Sequence, residues 1–199
     1  MNGSGDKKMP KAIISILVVI ISSFWGAIAE GKEQKEPNST QNIWSELLQR
    51  TPYPYTLPLP PSKATPIDGT YTKFEKKEGE PVHCLRCPDY APEGGIWKLN
   101  LNKGVFRIFH KVTGWKDIGS FYLSGDQLIL ANDPVCHEII GAYRWRLAEG
   151  KLMLERIDDK CAIGLRAMNL TNLPWLSCQP PNTEAAITEH WLKPLGCDE

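Results

Sequence analysis

Histidine and cysteine are the residue types in this sequence that could bind a soft metal ion or a haem iron. Six of them fall on loops that converge at one end of the fold predicted below: His83, Cys84, Cys87, His110, Cys136 and His137. Covalent haem attachment requires Cys-x-x-Cys-His, but here the histidine precedes the cysteine pair and Pro88 follows it. Structural zinc uses two such ligand pairs at defined spacing, and the second pair is missing. We therefore predict neither a metal nor a cofactor.

Catalytic motifs are equally sparse. The sequence contains no G-x-S-x-G, no H-E-x-x-H and no phosphate-binding loop motif. Asp158 and Asp159 precede Lys160 in a short connection, where such residues are ordinary turn formers. Glu138 beside His137 is typical of a solvated loop. No catalytic residue is predicted, and an enzyme is the least favoured class.

The six cysteines indicate disulfides, because all follow residue 29 and an even number in an exported chain is typical of bridges. They are Cys84, Cys87, Cys136, Cys161, Cys178 and Cys197. The Cys84-x-x-Cys87 motif also occurs in redox proteins, but the βαβ context of those proteins is missing here. Fifteen pairings are possible, and the residues alone do not choose among them.

Export is predicted from residues 1–29. Lys7, Lys8 and Lys11 precede the apolar run 12–26, which ends in Ala-Ile-Ala before Glu30, as in a secretory signal peptide. A retained membrane anchor is the alternative, although the run is shorter than the roughly 20 residues that span a bilayer. Removing three lysines and Asp6 leaves 20 basic and 22 acidic residues. A near-neutral secreted or periplasmic chain with no basic run is not expected to bind nucleic acid.

Residues 30–67 form a polar and proline-rich arm. A short helix is predicted over 41–50, since Ile43, Trp44, Leu47 and Leu48 share one face. Six prolines between residues 52 and 66 favour an extended segment after it.

From Asp68 onward, apolar and polar residues alternate with a period of two, which indicates strands with one buried face. Strands are predicted at 69–75, 95–101, 104–110, 117–124, 126–131, 141–147, 151–157 and 161–168. Turns at 102–104, 124–126 and 148–150 carry the Gly, Asn and Asp residues that tight hairpins need. We predict an all-β, eight-stranded antiparallel up-and-down barrel over 68–168, with an open sheet or sandwich as the alternative.

The two ends of such a barrel are unequal. The tight turns form one end, which we call the turn end. The connections 76–94, 111–116, 132–140 and 158–160 form the other, the loop end, which becomes the candidate mouth with His83, His110 and His137 on it. In this arrangement the preferred disulfides are 84–87, 136–161 and 178–197, the last within a C-terminal tail over 169–199 that holds a short helix beginning at Asn182 or Thr183.

The alternation also predicts which aromatic rings point into the barrel. They are Trp97, Phe106, Phe121, Tyr143 and Trp145. Rings at these positions can line a cavity for one small ligand or fill the interior completely.

One family resemblance is carried by a series of short motifs. They are Gly141-x-Tyr143-x-Trp145-x-Leu147, Gly150-x-Leu152-x-Leu154, Asp159-x-Cys161 and Arg166. In this order they resemble bacterial lipocalin-like domains of the calycin type. Lipocalins begin with Gly-x-Trp and end with an arginine that packs onto that tryptophan at the closed end. The resemblance implies this structural pairing for Tyr71 and Arg166, with tyrosine in place of tryptophan.

Two functions follow from these expectations. The first is an exported lipocalin-like protein that binds a small apolar or aromatic ligand without catalysis. The second is a plugged barrel that acts as a protein-interaction module, for example as a protease-inhibitor-like or envelope-associated domain. Its secreted partner would dock on the mouth loops or on the proline-rich arm. Membrane attachment is expected only through an uncleaved N-terminal segment.

Overall fold

The computed structural model describes residues 39–76 and 94–198, and these residues form a closed barrel of eight antiparallel strands. The strands are β1 (Gly69–Glu75), β2 (Gly95–Asn102), β3 (Val105–His110), β4 (Lys116–Ser124), β5 (Gln127–Ala131), β6 (Gly141–Ala148), β7 (Lys151–Asp158) and β8 (Trp175–Ser177). Each strand pairs with its neighbours in sequence, and β1 closes the barrel by pairing with β8. The predicted up-and-down barrel is therefore confirmed.

The period-two pattern places one side of each strand in the core. Leu99 pairs with Ile108 across β2 and β3, and Phe121 pairs with Leu130 across β4 and β5. All four side chains are buried in one hydrophobic cluster that fills the barrel. Closing the sheet removes both edges, so every strand has two partners.

Tight turns link β2 to β3, β4 to β5 and β6 to β7, as predicted. Lys103 and Gly104 both have positive φ, as do Glu149 and Gly150. Two successive left-handed residues match the right-handed twist of a hairpin, which explains why these connections need so few residues. The turn end of the barrel is therefore short and regular.

The last strand differs from the prediction. Residues 161–168 are not extended: Cys161–Gly164 form a 3-10 turn, and helix α2 (Leu165–Thr171) follows. Ala162, Ile163 and Gly164 all have left-handed backbone angles, which end the extended chain directly after Cys161. Strand β8 is supplied instead by Trp175–Ser177, so the barrel extends to residue 177 rather than 168.

Helix α2 contributes to the barrel core. Ala167 and Leu170 are buried in the same cluster as the inward side chains of the strands. The indole Nε1 of Trp175 on β8 donates a hydrogen bond to the carbonyl oxygen of Leu170 at 3.0 Å. The segment 161–168, predicted as a strand, thus covers the barrel interior instead of forming part of the barrel wall.

The arm is attached to the outside of the barrel. The predicted helix is α1 (Ser39–Gln49), whose Trp44 and Leu47 pack against Phe109 of β3. The guanidinium of Arg107 donates to the carbonyl oxygens of Leu47 and Arg50, at 3.0 and 2.7 Å, and so binds the free carbonyls at the helix end.

The proline-rich segment is bound through one asparagine. The Asn132 side-chain oxygen accepts from the amides of Thr56 and Leu57, at 2.8 and 3.0 Å. Its NH₂ group donates to the Leu57 carbonyl at 2.9 Å and to Ser120 Oγ at 3.1 Å. A segment without regular secondary structure is thereby anchored to the barrel wall.

Two of the predicted disulfides are present, Cys136–Cys161 and Cys178–Cys197. Cys84, Cys87 and the predicted signal segment 1–29 lie outside the described residues. The tail holds helix α3 (Thr183–Thr188), whose predicted cap Asn182 accepts from the amide of Ala185 at 2.9 Å. Across 39–76 and 94–198, no helix combines the length and the hydropathy needed to span a bilayer.

Candidate functional site

The middle of the barrel interior is filled. The residual void there is about 10 Å³, which is no larger than a single water needs. Its lining is entirely hydrophobic: Leu99, Leu101, Phe106, Ile108, Leu128, Leu130, Leu154 and Leu170. Gly119 permits this packing, since a Cβ there would lie 2.4 Å from the ring of Phe106. This part of the barrel has no room for a ligand.

A cavity of about 310 Å³ lies at the loop end, above that core. Its walls come from β2, β3, β4, the two loops that follow β3 and β5, and the segment after β7. The lining residues are Trp97, His110, Thr113, Trp115, Asp117, Val135, Cys161, Ala162, Leu165, Arg166 and Asn169. This is the strongest candidate binding site in the described part of the chain.

Three rings form the aromatic wall of the cavity. His110 stacks on Trp97 with ring centroids 4.4 Å apart, and Trp115 meets Trp97 edge-on at 5.7 Å. His110 Nδ1 lies 2.9 Å from the hydroxyl of Thr113, which positions the imidazole on the loop side. Lys73 Nζ lies 5.3 Å from the Trp97 ring centroid. Stacking and these polar contacts hold the Trp97 ring in place.

Beside this wall lies a buried ionic group that we call the aspartate cluster: Asp117, Asp133, Asp159 and Arg166. Arg166 Nη1 contacts Asp133 at 2.6 Å, and its Nε and Nη2 contact Asp159 at 2.7 and 3.0 Å. Burial lowers the pKa of Arg166, but hydrogen bonds and charge from Asp159 and Asp133 outweigh it and raise the pKa above its usual value. The guanidinium is therefore a fixed positive charge between two carboxylates.

Tyr143 and Gly141 complete the packing around Arg166. The Tyr143 hydroxyl donates a short hydrogen bond to Asp159 Oδ2. Burial, and then the hydrogen bond and charge of Asp159, raise the pKa of Tyr143, so the phenol stays neutral. A Cβ at Gly141 would lie 2.7 Å from Asp159 Oδ2 and 2.9 Å from Arg166 Nη2. Only glycine leaves room for this ion pair.

Asp117 is the acid of the cluster that lines the cavity, and Arg166 lines it as well. Burial first, and then a hydrogen bond to Asp133 and the charge of Asp133, raise its pKa to about 9. The carboxyl group therefore carries a proton at neutral pH. Two carboxylates in contact do not both stay ionised in a buried site, and the proton on Asp117 relieves its repulsion with Asp133.

The same aspartates shape the cavity rim. Asp133 Oδ1 accepts from the amides of Val135 and Cys136, at 2.7 and 3.2 Å. Asp159 Oδ1 accepts from the amide of Cys161 at 2.8 Å. The Cys136–Cys161 disulfide then joins the two capped turns. Since Cys161 and Ala162 line the cavity, these bonds hold part of its wall.

A metal-like grouping occurs at this rim but lacks the chemistry of a metal site. One ligand atom from each of Asp133, Cys136 and Cys161 lies within 4.8 Å of the others. Both sulfurs are bonded to each other, so neither is a thiolate, the form that binds metals. The Asp133 carboxylate is already paired with Arg166.

Only one of the five aromatic residues predicted to contact a ligand lines the cavity. That residue is Trp97. Phe106, Phe121 and Tyr143 are fully buried in the filled core. Trp145 is half-buried near the turn end, where its Nε1 donates to the Gly125 carbonyl at 3.2 Å. Period-two alternation identified inward side chains but not their depth along the barrel.

The predicted mouth histidines also separate. His110 lines the cavity. His137 is exposed on the loop after β5, with its ring centroid 6.3 Å from that of Tyr55 on the arm. His83 lies outside the described residues. Of the two mouth histidines that the structure describes, only His110 lines the cavity.

The predicted packing of Arg166 on Tyr71 is wrong. Arg166 lies at the loop end, whereas Tyr71 is buried near the turn end and its hydroxyl donates to the Ile67 carbonyl at 2.9 Å. The cause is the turn after Cys161, which folds residues 165–171 into a helix instead of a strand running back to the turn end.

Asp117, Asp133 and Trp115 are among the site residues that the sequence analysis did not identify. A partial signal was present. Asp117 shares its strand face with Phe121, so it is an acid at an inward position, and an aspartate shortly precedes both Cys136 and Cys161. Neither pattern reveals that one carboxyl would be protonated, because that depends on contact between β4 and the loop after β5.

Comparison with known proteins finds no family model, no curated protein and no solved structure that matches this chain. The eight-stranded barrel is compatible with a lipocalin-like fold, and the likeness extends to the fold alone.

Proposed function

We propose that this is an exported protein that binds one small apolar or aromatic ligand in the loop-end cavity of the barrel. The observation that carries the proposal is a cavity of about 310 Å³, walled by Trp97 and Trp115 above a filled core. Its size falls in the range of about 300–1,000 Å³ usual for small-molecule sites. A mostly hydrophobic wall with a few polar groups is also typical of such sites.

The cavity walls are held open before any ligand arrives. The Cys136–Cys161 disulfide and the contacts of Arg166 with Asp133 and Asp159 tie three loop-end segments together. A cavity that is already formed costs less conformational entropy on binding than one that must be assembled. This favours ligand binding over a purely structural role for the cavity.

The disulfides are the support for export. The two bridges at Cys136–Cys161 and Cys178–Cys197 indicate an oxidising environment. Such an environment agrees with the signal segment predicted at residues 1–29, and it supports a secreted or periplasmic location.

A fluorescent titration tests ligand binding. We would add N-phenyl-1-naphthylamine, an uncharged probe whose emission rises in apolar surroundings, to the oxidised protein. Leu165→Trp places a larger side chain in the cavity wall and is expected to weaken binding by about tenfold or more, which corresponds to roughly 1.4 kcal/mol.

Leu173→Trp is the matched control. Leu173 is exposed and does not line the cavity, so the same substitution there is expected to leave the titration unchanged. Equal affinity in the wild type and both variants, or no saturable binding by the wild type, would contradict the proposal.

The interaction-module alternative has no comparable support. The described part of the arm is bound to the barrel through Arg107 and Asn132, and it covers Phe109. It therefore forms part of the fold rather than a free extension. Docking of a secreted partner on the mouth loops or the arm stays a prediction.

A further inference from the structure

We propose that the cavity selects a small organic cation, a primary amine with an aromatic or alkyl body, whose ammonium group pairs with Asp117. This inference rests on the proposed function, because it assigns a ligand class to the same cavity. It depends on three features: the position of Asp117, the charge of the aspartate cluster, and the tryptophan rings opposite the acid.

Asp117 is on the cavity side of its strand. It shares the inward face of β4 with Gly119 and Phe121, and it lines the cavity directly. Asp133 faces it from the loop after β5, and Arg166 faces it from α2. His110 of β3 lines the same cavity, and Lys116 beside Asp117 is exposed. A ligand that enters the cavity therefore meets this acid before the other two acids of the cluster, and it also meets Arg166, whose guanidinium is paired with those two acids.

The aspartate cluster has fewer positive charges than its carboxyl groups require. Among the described residues, Asp117, Asp133 and Asp159 have one guanidinium beside them, that of Arg166. The nearby buried lysine does not supply the missing charge, because Lys73 Nζ contacts Glu75 at 2.5 Å and Asn172 Oδ1 at 2.6 Å. When Asp117 is protonated, the cluster contains two carboxylates and one guanidinium. Its net charge next to the cavity is therefore −1.

That charge favours a cation over a neutral or anionic ligand. A buried, unbalanced negative charge is stabilised by a positive group brought within a few ångströms. The edge-to-face arrangement of Trp97 and Trp115 offers hydrophobic surface for the body of the ligand. An anion would meet repulsion from the cluster.

Binding of an amine requires the proton on Asp117 to leave. The O–H bond of the Asp117 carboxyl breaks, the proton passes to water, and the carboxylate formed accepts a hydrogen bond from the ammonium group. No bond within the ligand changes. One proton is therefore released for each amine bound, and affinity rises with pH until Asp117 is ionised without ligand.

The test uses two probes with the same ring, 2-phenylethylamine and 2-phenylethanol, in isothermal titration calorimetry of the oxidised protein. The pKa of Asp117, at about 9, makes amine affinity rise about tenfold from pH 7 to pH 8, whereas alcohol affinity stays constant. A primary amine keeps its own charge over this range, since its pKa is about 10. Titrations in two buffers of different ionisation enthalpy are expected to count about one proton released per amine.

Two conservative variants test whether Asp117 is the group that causes the pH dependence. Asp117→Asn keeps the size and hydrogen-bonding capacity of a protonated carboxyl, so we expect it to lose the pH dependence of amine affinity and the proton release. Asp126→Asn, at an exposed turn of the opposite end, is expected to behave like the wild type. The pH dependence of the wild type provides a test that needs no variant.

The outcomes separate the two proposals. If the alcohol and the uncharged naphthylamine bind but the amine binds no more tightly at pH 8 than at pH 7, the ligand class is wrong and the binding function stands. If none of the three probes binds, the cavity is not a ligand site and both proposals are overturned. Amine binding that rises with pH equally in Asp117→Asn would assign the effect to another group and refute the role of Asp117.

Discussion

Around its middle and towards its turns, the barrel is packed with hydrophobic side chains from every wall, and the remaining void is about 10 Å³. At the loop end, three of these strands and the segments beside them place Trp97, His110, Trp115, Asp117 and Arg166 around a cavity of about 310 Å³, and Arg166 is paired with Asp133 and Asp159. The two regions share strands and hydrogen bonding but differ in what holds them together.

The filled region is where hydrophobic packing stabilises the fold, and the loop end is where we propose that a ligand binds. The filled region gains free energy from hydrophobic burial, which is proportional to area and needs no particular geometry. The loop end is held by a disulfide and ion pairs, which fix the distance between neighbouring loops. A hydrophobic wall alone would tend to collapse on an empty cavity, whereas crosslinked polar loops can leave one open.

The largest expected effect comes from truncating a side chain in the filled region. Phe106→Ala is expected to cost about 3–5 kcal/mol, because the ring is fully buried and the packed walls cannot close the gap. Leu165→Ala, at the loop-end cavity, is expected to cost about 1 kcal/mol, since its side chain already borders open space. Urea unfolding curves measure both. Equal losses would remove the proposed distinction between the two regions.

Removing each disulfide in turn tests whether the two bridges differ in their effects on stability and on probe binding. The bridges at Cys136–Cys161 and Cys178–Cys197 span 25 and 19 residues, and each is expected to stabilise the fold by about 3 kcal/mol. Paired serine substitutions should therefore cost similar amounts in unfolding experiments. Only loss of Cys136–Cys161 is expected to weaken probe binding, because only that bridge lines the cavity. Weaker binding in the tail variant would show that the cavity depends on more than its rim.

The pH dependence of stability provides an effect that is smaller per pH unit. Since the pKa of Asp117 is raised to about 9, the folded protein keeps a proton that the unfolded chain loses above about pH 4. The contribution of this group is thus complete at acid pH and declines as pH rises. Between pH 5 and 8 it lowers the unfolding free energy by about 1.4 kcal/mol per pH unit.

Asp117→Asn should remove this slope, and Asp126→Asn should retain it. Urea titrations at pH 5, 6.5 and 8 measure the three proteins side by side. Parallel slopes for the wild type and Asp117→Asn would show that the acid does not hold its proton through this range.

The smallest effect is expected outside both regions. Asn182 caps helix α3 in the tail by accepting from the amide of Ala185. Asn182→Ala is expected to cost about 1 kcal/mol through loss of the cap, with probe binding unchanged. A combined thermal-melt and titration experiment tests both parts. Altered binding would connect the tail to the cavity.

Seven of the eight strands could be predicted from local patterns. Alternation in segments such as Tyr143-x-Trp145 identifies a strand, and a positive-φ pair such as Glu149-Gly150 identifies the hairpin after it. Sequential hairpins then determine which loops share an end, and that topology was sufficient to predict the Cys136–Cys161 bridge.

The eighth strand could not be predicted, because β8 has three residues and pairs with β1 and β7 through two positions on each side. So short a segment has no visible period. Residues 161–168 offered a longer candidate, but the left-handed backbone at Ala162 and Ile163 and the burial of Ala167 and Leu170 favour a turn and a helix.

By itself, the sequence determined which face of the first seven strands is buried and in what order those strands pair, since both depend on residues close together in the chain. Tertiary structure decided the depth of each inward residue, which is why Trp97 borders the cavity while Phe121 lies in the core. It also decided the protonation of Asp117, because that state arises from a carboxylate on another loop and from burial that only the closed barrel provides.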